Sequence, residues 1–572
     1  MIRFSRIFAA AGFLALLALA APVPAGISTT KHNLSTTGTG TRKATSETEI
    51  CVFCHAPHNT SPSGQLWNRR VGTSYTPYTS STLKSVPGQP NGASMLCLSC
   101  HDGTIALGEV LSRAAAIPMA GGILSGNALL GTDLRDDHPV SFVYNAALVS
   151  ARGELANPAT LVAPGKVRLD TGGRLQCTAC HDPHDNTNGK FLTVPNTASA
   201  LCQTCHLKTY WASSDHKTST KTWNGAGTNP WLHTSGTTVA ANACENCHRP
   251  HTAGGGKRLL NYAAEETNCT TCHSGNVAAK NVSAEFAKTY NHPVAGTTGV
   301  HDPVEAAVVP SATRHVECVD CHNPHAANIA GGNFPGSLSG VRGVTIAGAE
   351  VNPATAEYQI CLRCHGDSTG QPAAYTARQI VQMNKRLEFQ TTNPSFHPVA
   401  GPGRSTTMPS LAGMTLNGVA LTASTVIKCS DCHNNNAGPG NGGTGPNGPH
   451  GSTTWRLLER TYATLDNTSE SAANYALCYK CHSRTNVLSD ATGSFRLHNK
   501  HIVGERTPCN VCHDPHGISS TQGNTLSNSR LINFQTGIVT ASGANLRWER
   551  VGTTGGRCYL NCHGKNHSPE SY

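Results

Sequence analysis

All 24 cysteines of the 572-residue chain fall into twelve pairs, and a histidine directly follows each pair. Eleven pairs read C-x-x-C-H. The first six are Cys51/Cys54/His55, Cys97/Cys100/His101, Cys177/Cys180/His181, Cys202/Cys205/His206, Cys244/Cys247/His248 and Cys269/Cys272/His273. Five more follow: Cys318/Cys321/His322, Cys361/Cys364/His365, Cys429/Cys432/His433, Cys478/Cys481/His482 and Cys509/Cys512/His513. The last, Cys558/Cys562/His563, has one extra residue between its cysteines. No cysteine is left for any other purpose, so the chain has to fold around whatever these triplets hold.

Thiols at this spacing add to the two vinyl groups of a haem and tether the ring by thioethers. The adjacent histidine then reaches the iron as proximal ligand. A disulfide framework makes no demand on the next residue. Zinc sites pair C-x-x-C units without the trailing histidine, and a thioredoxin-like pair would occur once or twice. The pattern therefore reads as twelve covalently attached c haems. In the twelfth motif the longer spacing is expected to keep both thiols on one face of a helical turn.

The rest of the composition fits a chain whose core comes from outside its sequence. Apolar residues make up 38% and aromatics 5%, beside 57 glycines and 32 prolines. That is thin for ordinary cores. At about 46 residues per haem, little chain remains once each ring is wrapped. The expected fold is mostly irregular coil with short α-helices and few strands, the haem stack serving as core. Two stretches look helical, Glu357–Leu362 and Tyr375–Phe389. Arg3 and Arg6, the apolar run Phe8–Ala21 and the small-residue site Val23-Pro24-Ala25 read as a signal peptide over residues 1–25. Secretion is therefore expected, to the extracellular side or outer cell surface, with the periplasm as the alternative. No later run is long and apolar enough to span a membrane.

The formal charge of +10 becomes about +8 without those two arginines, and about −1 per ferric haem brings the total near −4. The basic balance therefore does not point to nucleic acid, and dense Lys/Arg clusters are missing as well.

The motifs group into six repeats. The first motif of a pair carries a P-H tail, as in CTACHDPH from Cys177 and CNVCHDPH from Cys509, and the second lacks it. In the fifth repeat the tail is displaced by a Gly/Asn/Pro insertion, which makes His450 the counterpart of the others. Six dihaem modules are expected: 26–125, 126–215, 216–285, 286–390, 391–490 and 491–572. A tail histidine stands on the same side of the ring as its own proximal ligand, so it has to serve a neighbouring iron. The tails supply His58, His184, His251, His325, His450 and His516 as distal ligands. Upstream histidines supply His32, His138, His233, His292, His397 and one of His498 or His501. His216, His301, His315 and His567 are spare in this scheme. Six methionines recur with no module, so bis-histidine, low-potential haems are expected.

With the repeat in view, the chain resembles the multihaem cytochromes of metal-reducing bacteria. Thr30-Lys31-His32-Asn33-Leu34, CVFCHAPHN from Cys51, CLSCHDGT from Cys97, Asp137-His138-Pro139-Val140 and CTACHDPH from Cys177 resemble outer-surface cytochromes that polymerise into haem-chain filaments. The resemblance implies alternating parallel and T-shaped haem pairs, bis-histidine ligation and long-range extracellular electron transfer. In such filaments a subunit lends one histidine to its neighbour, and His32 is the expected lender here, with His567 as its reciprocal. Expected partners are other redox proteins or extracellular acceptors, with a homopolymer among them. The alternatives are a discrete periplasmic or porin-associated cytochrome and, from another class, a multihaem oxidoreductase. The last needs an open iron position, often marked by C-x-x-C-K. No such motif occurs, and distal histidines are in surplus.

Overall fold

In a computed structural model, described over residues 26–162, 167–296, 301–308, 315–329, 335–405, 407–491, 495–552 and 555–572, the C-x-x-C-H spacing is the spacing of one helical turn. The expected signal peptide, residues 1–25, lies outside the described residues. In nine of the motifs the histidine N–H returns to the carbonyl of the first cysteine, at 2.9 Å in His181, His206 and His513 and 3.0 Å in His322. This i to i−4 closure puts the two cysteines on one face and turns the histidine in beside them.

The two motif types use that turn differently. Tailed motifs are isolated turns, such as Cys177–Cys180, Cys318–Cys321 and Cys509–Cys512, after which the histidine is already extended. Untailed motifs close longer helices, Gly92–His101, Ala200–Cys205 and Glu357–His365, which the hydrophobic residue before the first cysteine helps to pack. Ile360, for example, is buried against Val341 and Ala354.

Coil dominates as expected, with 25% helix and 13% strand. Most strands are two residues long, and two of them bind one module to the next. Tyr290–Asn291 pairs antiparallel with Gly451–Ser452, and Ser395–Phe396 with Gly517–Ile518. The largest sheet is the C-terminal meander Arg547–Val551, Gly555–Cys562 and Lys565–Ser571. Among the described residues no helix is long and apolar enough to cross a membrane.

Two local expectations change. Of Tyr375–Phe389 only Lys385–Glu388 is helical. Upstream of it the chain is pulled straight: Gln379 N–H donates to Phe534 O, and Arg378 Nη1 donates to Asn533 O at 2.8 Å. These tertiary bonds outweigh a weak helical preference. The twelfth motif lies on a strand, Gly555–Cys562, and not on a helical turn. Cys558 and Cys562 still face one side, because side chains alternate with period two.

Hydrophobic packing is sparse. The largest cluster of buried side chains holds seven residues, among them Phe142, Leu161, Val167 and Leu175. Pieces of this size do not offset the chain entropy of more than 500 residues. A chain produced without haem attachment is expected to give coil-like far-ultraviolet circular dichroism and no cooperative melt. A sigmoidal thermal transition of the haem-free chain would contradict this.

Candidate haem chain

Four of the six tailed motifs are completed by a second repeated device. After the proximal histidine the chain loops back so that two consecutive residues sit in the left-handed region: Lys190/Phe191, Arg258/Leu259, Arg456/Leu457 and Arg530/Leu531, with φ between 50° and 63°. For L-residues this costs about 1–2 kcal/mol each. It aims the carbonyl of the first residue at the imidazole. Nδ1–H of His181 donates to Lys190 O at 2.9 Å, of His248 to Arg258 O at 2.9 Å, and of His513 to Arg530 O at 2.9 Å. His433 repeats the contact with Arg456 O at 3.2 Å. A carbonyl can only accept, so Nδ1 carries the proton and Nε2 keeps its lone pair for a metal. The following residue closes a β-bridge to the histidine, as in His181–Leu192 and His513–Ile532.

Opposite the proximal rings stand other histidines. Ring centres are 6.1 Å apart in His55–His184, 6.2 Å in His181–His251 and 6.3 Å in His248–His325. The corresponding distances are 6.0 Å in His322–His450 and 6.2 Å in His433–His516. In these five pairs a tail histidine faces the tailed motif one module earlier. The untailed motifs are faced by upstream histidines: His101 by His32 at 6.3 Å, His206 by His138 at 6.2 Å and His273 by His216 at 6.1 Å. His365 is faced by His292 at 6.4 Å, and His482 by His397 at 6.3 Å. The eleventh motif pairs His513 with His498 at 6.2 Å. An iron with an imidazole nitrogen roughly 2 Å away on each side separates ring centres by about 6 Å. The donor sets therefore fit haem iron held by two histidines.

The P-H tail does two jobs at once. Its histidine faces one iron position, while its proline carbonyl accepts Nδ1–H from the upstream histidine that faces the next. His216 donates to Pro324 O at 2.8 Å, His292 to Pro449 O at 2.8 Å, and His32 to Pro183 O at 3.3 Å. His397 donates to Pro515 O. In place of that bond, the backbone N–H of His138 donates to Pro250 O at 2.8 Å. The displaced Pro449-His450 performs both roles despite its insertion.

Burial keeps these rings neutral. It pushes His206, His325, His450 and His498 down to about 3, and His273 and His482 to about 4. An uncharged imidazole is the form that ligates.

Cysteine neighbours give the order in space. Within modules the second cysteines approach each other: Cys54 and Cys100, Cys180 and Cys205, Cys247 and Cys272, Cys321 and Cys364, Cys432 and Cys481, Cys512 and Cys562. Between modules it is the first cysteines that touch: Cys97 with Cys177, Cys202 with Cys244, Cys269 with Cys318, Cys361 with Cys429, and Cys478 with Cys509. The twelve motifs thus follow one another in sequence order, with two kinds of junction in strict alternation. A continuous cavity of about 2390 Å³ runs from Cys269 past Cys361 and Cys478 to Cys558.

Several expected ligands are placed elsewhere. His233 faces no motif histidine among the described residues; its Nε2 bonds Glu245 O at 2.9 Å, and His216 stands at the sixth motif instead. The clue to His216 was its distance ahead of the motif, like that of the His-Pro-Val histidines, although it lacks the proline. His58 is exposed and faces no histidine ring among the described residues. His498, not His501, faces a motif ring, but that ring is His513; His501 Nδ1 bonds Leu497 O at 2.7 Å. At the twelfth motif no histidine ring faces His563 among the described residues, and its Nε2 is held by Asp466 at 2.9 Å.

A doubled CXXCH motif family matches residues 171–209 and 237–278. The chain is also similar to multiheme cytochrome MtrA of Shewanella baltica (strain OS185), 27% identical over 164 residues. That alignment covers 27% of this chain and 36% of the relative, so the chain spans about a third of the length of the curated relative it matches. Together with the paired rings, these findings make the chain a multihaem c-type cytochrome, with covalently bound haem c.

The ring pairs predict a spectrum. Imidazole planes are 4–39° apart in the five tail-ligated pairs and 57–73° apart in the five upstream-ligated pairs of modules one to five. Near-parallel planes split the iron d orbitals and crossed planes leave them nearly degenerate. The oxidised protein should therefore show two low-spin electron paramagnetic resonance populations of similar size. A single uniform signal would count against the paired geometry. His216→Ala should convert about one haem in twelve to high spin, and His233→Ala none.

Proposed function

We propose that the chain carries twelve haems in sequence order and serves as an extracellular electron conduit that polymerises head to tail. The observation that carries this reading is the saturation of the iron positions: eleven of the twelve motif histidines face a second histidine ring, and those pairs leave no position for a substrate. When bound, haem supplies a one-electron couple at each iron, with transfer between neighbouring ring edges. The chain's own residues set the rest. Cysteine contacts hold successive sites together, carbonyls orient each imidazole, and burial keeps water from the rings. This division of labour favours conduction over catalysis, which requires an open coordination position.

The ends favour a polymer over a discrete periplasmic or porin-associated carrier. Tail histidines serve the module before their own, whereas His58 is exposed and faces no histidine ring among the described residues. At the other end His498 takes the place a tail histidine would fill at His513, which leaves His563 short of a partner ring. A surplus donor at one end and a deficit at the other match between successive copies. His32 is not the residue available for lending, because it faces His101 of its own chain. His58 takes that role in the proposal.

Electron microscopy of the secreted fraction should show uniform thin fibres, and intact mass should give twelve haems. His58→Ala should abolish the fibres while leaving haem content intact. Fibre yield and low-spin fraction unchanged in His58→Ala would eliminate the lending role, and wild-type material found only as monomers would favour the discrete carrier.

A further inference from the structure

Between the sixth and seventh motifs lies a cluster of donors that no iron pair uses. His301, Glu305, His315 and Asp320 each offer one ligand atom, all within 4.8 Å of one another. His301 is only 7% exposed. Its Nδ1 lies 3.2 Å from Glu317 Oε2 and 3.4 Å from Asp320 Oδ1, yet it makes no hydrogen bond to either. Glu317 Oε2, in a residue 5% exposed, is likewise buried with no hydrogen-bond partner among the described residues. Across the cluster His315 Nε2 stands 3.1 Å from Glu305 Oε2. Polar atoms buried and aimed at one another without bonding are costly unless something between them accepts their lone pairs.

Charge gives the same answer. Four carboxylates converge on this corner: Glu305, Glu317, Asp320, and Glu265, whose Oε2 accepts the His301 backbone N–H at 3.1 Å. Two guanidinium groups oppose them, Arg363 at 3.4 Å from Asp320 and Arg258 at 3.6 Å from Glu265. The carboxylates outnumber the guanidinium groups beside them, an excess that a bound cation would offset.

We infer that His301, His315, Glu305 and Asp320 form a binding site for a divalent cation of the zinc class, with Glu317 as a further oxygen donor. Two imidazoles with carboxylates select a borderline cation over calcium or magnesium, which prefer all-oxygen sites. The site has a structural purpose. It ties the connection carrying His301 and Glu305 to the turn Cys318–Cys321, whose Asp320 lies between the two cysteines of the seventh motif. All four ligands lie within module four (286–390), so the site ties that module's leading connection to its own first motif, beside the Cys269–Cys318 contact with module three. The inference does not depend on whether the chain polymerises.

The holo-cytochrome, stripped with a chelator, reloaded with Zn²⁺ and dialysed free of excess metal, should retain one more equivalent of Zn²⁺ by metal analysis than the His301→Gln/His315→Gln variant does. Excess Ca²⁺ should not displace it, and zinc-edge X-ray absorption should show two imidazole nitrogens beside oxygen donors. Haem absorbance per chain should be the same in both proteins. Equal Zn²⁺ retention in variant and wild type, or none in the wild type, would overturn the inference. If the double variant does not accumulate, Glu305→Gln, at a partly exposed position, provides the second arm. At least tenfold weaker retention is expected there, and unchanged retention would be equally fatal.

Discussion

The structure depends on one contact, the docking of a P-H tail against the upstream histidine of the preceding module. Pro324 O holds His216, Pro449 O holds His292 and Pro515 O holds His397, while the histidine beside each proline faces a different motif. One dipeptide therefore fixes two axial ligands on two successive sites. Proline suits the task because it has no N–H to satisfy and its φ is preset, so its carbonyl direction is determined by the turn. The two-residue ladders Tyr290–Asn291 with Gly451–Ser452 and Ser395–Phe396 with Gly517–Ile518 hold the same partners in register. Without this contact the modules would be beads on a thread.

The same contact accounts for the alternation along the chain. Tail-ligated sites sit on isolated turns and have nearly parallel imidazole planes, for example 4° in His248–His325. Upstream-ligated sites sit at helix ends and have crossed planes, for example 73° in His138–His206. The left-handed pairs recur at four of the tailed sites. Residues such as Arg456 and Leu457 adopt a costly conformation because only there does the Arg456 carbonyl reach His433 Nδ1. Strain of this kind persists where the surroundings over-determine the backbone. Here they do so through the β-bridge and the proximal ring.

Much of this was legible in the sequence because thioether chemistry ties residue type to spacing. The attachment motifs, the tails and the displaced His450 could all be read from it. What could not be read depended on which backbone carbonyl lies next to which ring. His233 and His216 both precede the third module's motifs, and apart from the distance to the motif nothing local separates them; Pro324, 108 residues beyond His216, does. The helix expected over Tyr375–Phe389 failed for the same kind of reason, since Arg378 answers to Asn533 and Asn510 and not to its neighbours. The strand beneath Cys558 and Cys562 was hidden because period two and a helical turn both place residues four apart on one side.

A register displaced by one module has a consequence that no choice of module number removes. Each tail serves the module before its own, yet among the described residues His58 faces no histidine ring and no tail stands at His513 or His563. His498, standing at His513, does not cancel the deficit; it moves it to His563. Such ends are unlike surfaces that complement each other, and a contact between unlike surfaces propagates without closing unless a rotation brings it back on itself. An offset ligand scheme is thus the arrangement that the proposed filament would extend. The rule that joins module to module within a chain is the rule that would join chain to chain.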